Sequence, residues 1–366
     1  MFWQTLNHHE VLRWAGIFLA IGFLTWLGIG LLRRWLLHHN LLAVPNDRSS
    51  HDQPTPHGAG AVMITIILLC WLGLIIKHQV PLIYYGVLAS TAMLAALSWL
   101  DDHGHVPFLR RLMVHGIAAT IAVISLPDSA VIFGDWLPLW LERTMMAFGL
   151  VWFMNLYNFM DGIDGMMGSL TATIAVGIAI ITPLWLDWQL SLVIIPVAIG
   201  FLCWNWMPAK IFSGDVGSVA LGYLIGWLLL RLALSGYPVS AVILAAYPIA
   251  DTTFTLLRRI SQGERFWIPH RNHFFQKAVR SGLSHAAVTG GILLLQILMV
   301  ALAVWATHRR MSPIILCIIF VTTWLSFFQW RFRYSVAHQD GREGSANPAR
   351  PVLSEPVHAA DKQDEK

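Results

Sequence analysis

Apolar residues along this chain fall into eleven blocks, at about 14–36, 60–76, 81–100, 112–127, 144–160, 168–186, 188–204, 216–234, 238–257, 286–307 and 311–330. Each approaches the roughly 20 residues that a helix needs to cross a hydrocarbon core of about 30 Å. Several are hydrophobic all round, as expected of helices that face lipid or other helices. The alternation of a transmembrane β-barrel is absent. The pattern predicts an all-α, polytopic membrane helix bundle of about eleven transmembrane helices. The first block is longer than a signal-peptide core and no small-residue cleavage site follows it, so it is expected to be retained.

Composition sharpens this picture. Hydrophobic residues make up 56% of the 366 positions and charged residues only 12%, whereas a soluble domain carries roughly a quarter charged residues. A soluble enzyme, a disordered chain and a disulfide scaffold are excluded. Cys70, Cys203 and Cys317 lie within or beside apolar blocks and match no disulfide or metal spacing. Residues 1–335 read as a single transmembrane domain. Residues 336–366 are polar and read as a disordered cytoplasmic tail.

Charge sets the expected orientation. If eleven spans alternate, 18 of the 24 Lys and Arg fall on the side opposite the N-terminus and 6 on its own side. The positive-inside rule then places the N-terminus outside and the C-terminus in the cytoplasm. The loops on the predicted cytoplasmic side also hold the unusual polar sequences: PNDRSSHDQPTPHGAG (45–60), DDHGH (101–105), DGIDGMMG (161–168), PAKIFSGDVGS (208–218) and HRNHFFQK (270–277). Five such loops on one face point to a single site there.

Their chemistry can be read in part. Asp101 and Asp102 are adjacent carboxylates at a span boundary, and they need a cation or basic group such as Arg110 or Arg111 to offset their repulsion. In a continued helix, Asn158, Asp161 and Asp164 share a face at three-residue spacing. Asp215 stands where a helix start would offer free N–H groups to phosphate. A carboxylate there repels phosphate unless it holds a metal, and Mg²⁺ takes one or two carboxylates with phosphate oxygens and water. Phe212, three residues earlier, offers a surface on which a base could stack. His270, Arg271 and His273 lie in a loop of six basic residues, a density that suits a polyphosphate or anchors the membrane face. Asp251, seven residues before Arg258 and inside the ninth block, is either functional or a structural partner of that loop.

Together the five loops resemble, in order, the polyprenyl-phosphate N-acetylhexosamine-1-phosphate transferases (glycosyl transferase family 4), over about residues 40–290. PNDRSSH and HRNHFFQ look most like the branch that starts O-antigen. The peptidoglycan enzymes' triple-histidine loop is replaced by His270-Arg-Asn-His273. The resemblance implies a bacterial inner-membrane enzyme with a cytoplasmic site. It would transfer an N-acetylhexosamine 1-phosphate from a UDP-sugar to undecaprenyl phosphate and release UMP. It further implies Mg²⁺, with Mn²⁺ as a substitute, held by Asp215 and Asn158, and Asp101, Asp102 and Asp161 at the catalytic centre. Asp164 and Phe212 would recognise uracil, and Asn205, His270, Arg271 and His273 would hold the pyrophosphate or sugar. Thr55, Arg48 and His51 would border the same pocket. Membrane lipids and a second copy in a homodimer are the expected partners, and no nucleic acid is. His57, Ala59 and His115 depart from the family pattern, which leaves the transferred sugar open. The competing readings are a transporter of anionic substrates and the peptidoglycan pentapeptide version of the reaction.

Overall fold

The computed structural model describes residues 8–41, 55–104, 106–127, 129, 131–265, 270–308 and 312–346. Thirteen α-helices make up this part of the chain: α1 (His8–His38), α2 (Ala59–Lys77), α3 (Ile83–His103), α4 (Phe108–Ile124), α5 (Leu139–Phe159), α6 (Met166–Ile181), α7 (Trp185–Asn205), α8 (Asp215–Leu234), α9 (Pro238–Leu244), α10 (Ala246–Ser261), α11 (Phe274–Arg280), α12 (His285–Ala306) and α13 (Ser312–Ala346). Every apolar block carries helix. Among the described residues seven helices are long and apolar enough to cross a membrane, or eight if α9 and α10 form one broken span. The helices of the remaining blocks are shorter or less apolar. α4 and α6 have only 17 and 16 residues, about 25 Å each at 1.5 Å per residue, and α5 carries Glu142 in its first turn.

α8 lies at the centre. It is apolar around its whole circumference, and nearly all its residues are buried against α2, α3, α5, α6, α7 and α9. Small residues bring its neighbours close, as membrane helices require. A Cβ on Gly226 would lie 2.6 Å from Leu150 Cδ1 of α5. α1 behaves differently, burying Ile21, Thr25 and Ile29 on a narrow stripe against α7 and leaving most of its surface outward. At the end far from the five loops, Arg231 of α8 donates to Asp187 of α7 (2.7 Å) and to the Tyr84 hydroxyl of α3 (2.7 Å). This buried pair clamps three helices together.

The ninth block is broken. α9 and α10 meet at Ala245 with a 67° bend. Pro248 is the cause, since it has no N–H to give the Leu244 carbonyl four residues back. That carbonyl is taken instead by Gln296 Nε2 of α12 at 2.6 Å, as an apolar interior demands. The tail boundary also moves. α13 continues to Ala346, so the segment 336–346, expected to be disordered, is helix. Extending an established helix avoids a new nucleation step, and the first proline beyond is Pro348.

The break supplies a test. Gln296→Leu strands the Leu244 carbonyl and should cost roughly 1–3 kcal/mol in unfolding measurements on detergent-solubilised protein. In a Pro248→Ala background the restored N–H should remove much of that cost, which a double-mutant cycle reads directly.

Candidate active site

The site begins with two helix starts locked together. Phe212 N–H donates to the Pro56 carbonyl (3.0 Å), and the Phe212 carbonyl accepts from Gly58 and Ala59 N–H (3.1 and 3.0 Å). Gly60 N–H completes the seam at the Ser213 carbonyl (2.9 Å). Only glycine permits this approach, because a Cβ on Gly60 would lie 2.2 Å from the Gly217 nitrogen. The PTPHGAG segment is thereby fixed to the start of α8. Thr55 is buried at its beginning, and the His57 ring packs 5.2 Å from that of Phe212. Arg48 and His51 lie outside the described residues.

The carboxylates converge on this seam. Asp161, just beyond the end of α5, accepts a hydrogen bond from Ser213 Oγ at 2.5 Å. Asn158 Oδ1, one turn earlier, accepts from Ser218 Oγ of α8 at 2.5 Å. Asp215, the first residue of α8, interacts with the Asn158 side chain and with Arg111 and Asp101. Asp101 at the end of α3 accepts from Val106 N–H (3.0 Å) and from Arg111 Nη1 (2.7 Å). Asp102 reaches over the same seam, its Oδ2 only 3.2 Å from where a Cβ on Gly214 would stand.

Crowding has an electrostatic consequence. The Asp161 carboxyl is pushed up to about 7, first by burial and then by the charges of Asp215 and Asp102, against the stabilising bond from Ser213. Arg111 is the cation closest to the cluster in its effects on Asp101 and Asp215. The donors here are all oxygens: carboxylates, the Asn158 amide and two serine hydroxyls. Among the described residues no three His, Cys, Asp or Glu side chains come together as a metal cage. Such a set fits Mg²⁺, which uses one or two carboxylates and fills its shell with phosphate oxygens and water.

Asp164 and Asn205 sit below this cluster. Asp164 accepts from Ala209 N–H (2.9 Å) and lies 3.2 Å from His285 Nδ1 of α12, while its carbonyl accepts from Thr289 Oγ1 (2.8 Å). Asn205 is buried, accepting from Gly165 N–H (2.9 Å) and donating to the Ile211 carbonyl (3.1 Å). Both tie the 208–212 loop to the start of α6. Sequence reasoning missed His285, Thr289, Ser213 and Ser218 as members of the site. The serines were visible inside SGDVGS, whereas nothing in local spacing marks His285 or Thr289.

The HRNH loop is set by Asp251. This buried carboxylate of α10 accepts from Phe274 and Phe275 N–H (3.0 and 3.3 Å) and from the Tyr247 hydroxyl (3.0 Å), and lies 3.4 Å from His273 Nδ1. It is the structural partner of the loop. Phe275 then packs against Gly162 in the carboxylate loop, and the His270 and His273 rings lie 4.8 Å apart. Nε2 of each of these histidines is buried with no hydrogen-bond partner among the described residues.

A multi-pass helical body with its carboxylates, two locked helix starts and a histidine loop gathered at one end defines a membrane enzyme with a single polar site. The family model for "Glycosyl transferase family 4" matches residues 84–233. A Bacillus subtilis protein named as a probable undecaprenyl-phosphate N-acetylglucosaminyl 1-phosphate transferase is 33% identical over 259 residues, covering 66% of this chain and 70% of its own. The Escherichia coli K12 undecaprenyl-phosphate alpha-N-acetylglucosaminyl 1-phosphate transferase is 26% identical, covering 75% and 78%. Its Salmonella typhi namesake, also 26% identical, covers 81% and 84%. The chain belongs to glycosyl transferase family 4.

Asp251→Ala should strand the two N–H groups at the start of α11, at roughly 1–3 kcal/mol locally. Hydrogen exchange across 270–280 should accelerate while α8 stays protected.

Proposed function

We propose that this protein transfers an N-acetylhexosamine 1-phosphate from a UDP-sugar to undecaprenyl phosphate, releasing UMP and leaving a lipid diphosphate sugar. The observation that carries this reading is the convergence of Asp101, Asp102, Asp161 and Asp215 beside helix starts opened by glycine. The printed names of the relatives point to the same acceptor, and to N-acetylglucosamine as the sugar.

The chemistry asked of these residues is mainly positioning and charge cancellation. A phosphate monoester with a second pKa of about 6 is already largely dianionic near pH 7, so the acceptor needs little help from a base. What opposes reaction is repulsion between two phosphorylated substrates. Asp215 and Asn158 would hold Mg²⁺, with Asp161 adjacent; when bound, the ion supplies neutralisation of the developing phosphate charge. Arg111 holds Asp101 in place, and Asp102, whose Oδ2 lies over Gly214, would meet the acceptor. His270, His273 and Arg271 would receive the donor diphosphate, for which the two unpartnered Nε2 atoms are suited. Asp164 and Asn205 keep the loop bearing Phe212 in register for the uridine.

The site would face the cytoplasm of a bacterial inner membrane, a reading supported by the basic residues on the loops beside it, Arg110, Arg111, Lys210 and Arg271 among them. The transporter reading would use the broken α9–α10 span as a binding element. Here the freed Leu244 carbonyl is occupied by Gln296. The relatives' names favour N-acetylglucosamine over the peptidoglycan pentapeptide donor.

Asp215→Asn should lower turnover by at least about 100-fold while the protein keeps its thermal unfolding profile, since removing one strong charge-stabilising group costs on the order of that factor. The assay is nucleotide release with Mg²⁺, undecaprenyl phosphate and a panel of UDP-N-acetylhexosamines. Near-normal UMP release by the variant would remove Asp215 from the mechanism, and no release by wild type with any donor would refute the reading.

A further inference from the structure

A second charged feature lies on the other side of α11. Phe275 faces the carboxylate loop, whereas Phe274 and Lys277, three residues apart, face α13. Between α10, α11 and α13 runs a cavity of about 430 Å³ with a mainly apolar wall of Phe254, Phe274, Leu325 and Trp330, interrupted by the Thr322 and Ser326 hydroxyls, and a polar end at Gln329 and Arg333. Phe254 and Trp330 are 52% and 57% exposed, so the groove opens away from the bundle.

Arg333 lines its polar end, and further cations stand behind it around Gln329. Lys277 Nζ and Arg258 Nη1 both donate to Gln329 Oε1, at 3.2 and 3.3 Å. Arg280 lies 5.1 Å over the Phe332 ring and Lys277 5.1 Å over that of Phe274. Among the described residues none of Arg258, Lys277, Arg280 and Arg333 has a carboxylate within ion-pair distance. Lys277 is only 6% exposed. Burial, then the charge of Arg258, lowers its ammonium to about 8, with Arg280 and Arg333 adding to the effect and Asp251 opposing it.

We infer that this groove binds an anionic phospholipid of the surrounding bilayer, its phosphodiester held by Arg258, Lys277 and Arg333 and one acyl chain lying along Phe254, Phe274 and Trp330. The two halves of the groove match the two halves of such a lipid. A soluble phosphate would leave the apolar wall unused, and a zwitterionic lipid would leave the cations uncompensated. Trp330 and Tyr334, whose rings are 5.8 Å apart, place the polar end at headgroup depth, where aromatic residues collect. Basic pockets between membrane helices take anionic headgroups for the same reason. A lipid phosphate held here is separated from the carboxylates by α11, so the occupant is not the reacting acceptor. The inference does not depend on which sugar, or whether any sugar, is transferred.

The test is native mass spectrometry of the full-length protein in detergent, titrated separately with phosphatidylglycerol and phosphatidylcholine. Wild type should retain one phosphatidylglycerol and shed phosphatidylcholine. Arg258→Gln with Arg333→Gln should bind phosphatidylglycerol about thirtyfold more weakly, at roughly fivefold per neutralised cation. Replacing both arginines with lysine should keep binding within a few-fold of wild type. Arg333 is exposed, so Arg333→Gln alone, with a shift of about fivefold, serves if the double variant does not fold. The acceptor KM in the nucleotide-release assay should not change. Equal phosphatidylglycerol retention by all variants, or equal retention of phosphatidylcholine, would overturn the inference. A raised acceptor KM with phosphatidylglycerol binding intact would assign the groove to the acceptor instead.

Discussion

Mutual repulsion among four carboxylates is the constraint on which the rest of this molecule depends. Asp101 and Asp102 come from α3, Asp215 from α8 and Asp161 from the loop after α5, and charges of one sign brought together in a poorly solvated site disfavour one another. Three of them are tied to fixed parts of the fold. Ser213 holds Asp161, Arg111 and Val106 hold Asp101, and the Gly60–Gly217 contact fixes the start of α8 that carries Asp215. The Asp161 carboxyl is raised chiefly by burial, with the charges of Asp215 and Asp102 adding to it. A divalent cation is the simplest species that would relieve the repulsion.

The apolar body serves this end. Central α8 is apolar all round, so it can be surrounded by six neighbouring helices and deliver Asp215 to one end with little freedom. At its other end the Arg231–Asp187–Tyr84 cluster fixes its axial position. The same logic governs α10, where Pro248 breaks the span and tilts the helix so that Asp251 meets the HRNH loop.

Much of this was legible in the chain. Block length gave helices at all eleven apolar segments, because in lipid the backbone must satisfy itself within each segment. Clustering of Gly, Asp and His in alternate loops located the site at one end. The limits have physical causes. Hydropathy cannot tell a full span from a shorter buried helix such as α6, whose surroundings are protein. The 67° break follows from Pro248, but only the tertiary partner Gln296 shows why it is tolerated. Asp164 and Asn205 read as ligand-facing polar residues. Their engagement with Ala209, His285, Gly165 and Ile211 depends on long-range packing that no local spacing encodes.

The central chemical claim is attack at phosphorus, with the sugar–oxygen bond left intact. It is tested most directly by a UDP-N-acetylhexosamine carrying ¹⁸O at the oxygen between the anomeric carbon and the diphosphate, incubated with undecaprenyl phosphate and Mg²⁺. Mass spectrometry of the products then locates the label. Full retention of ¹⁸O in the lipid-linked sugar, with unlabelled UMP, is the predicted result. Label leaving with UDP would mean attack at the anomeric carbon and would contradict the account.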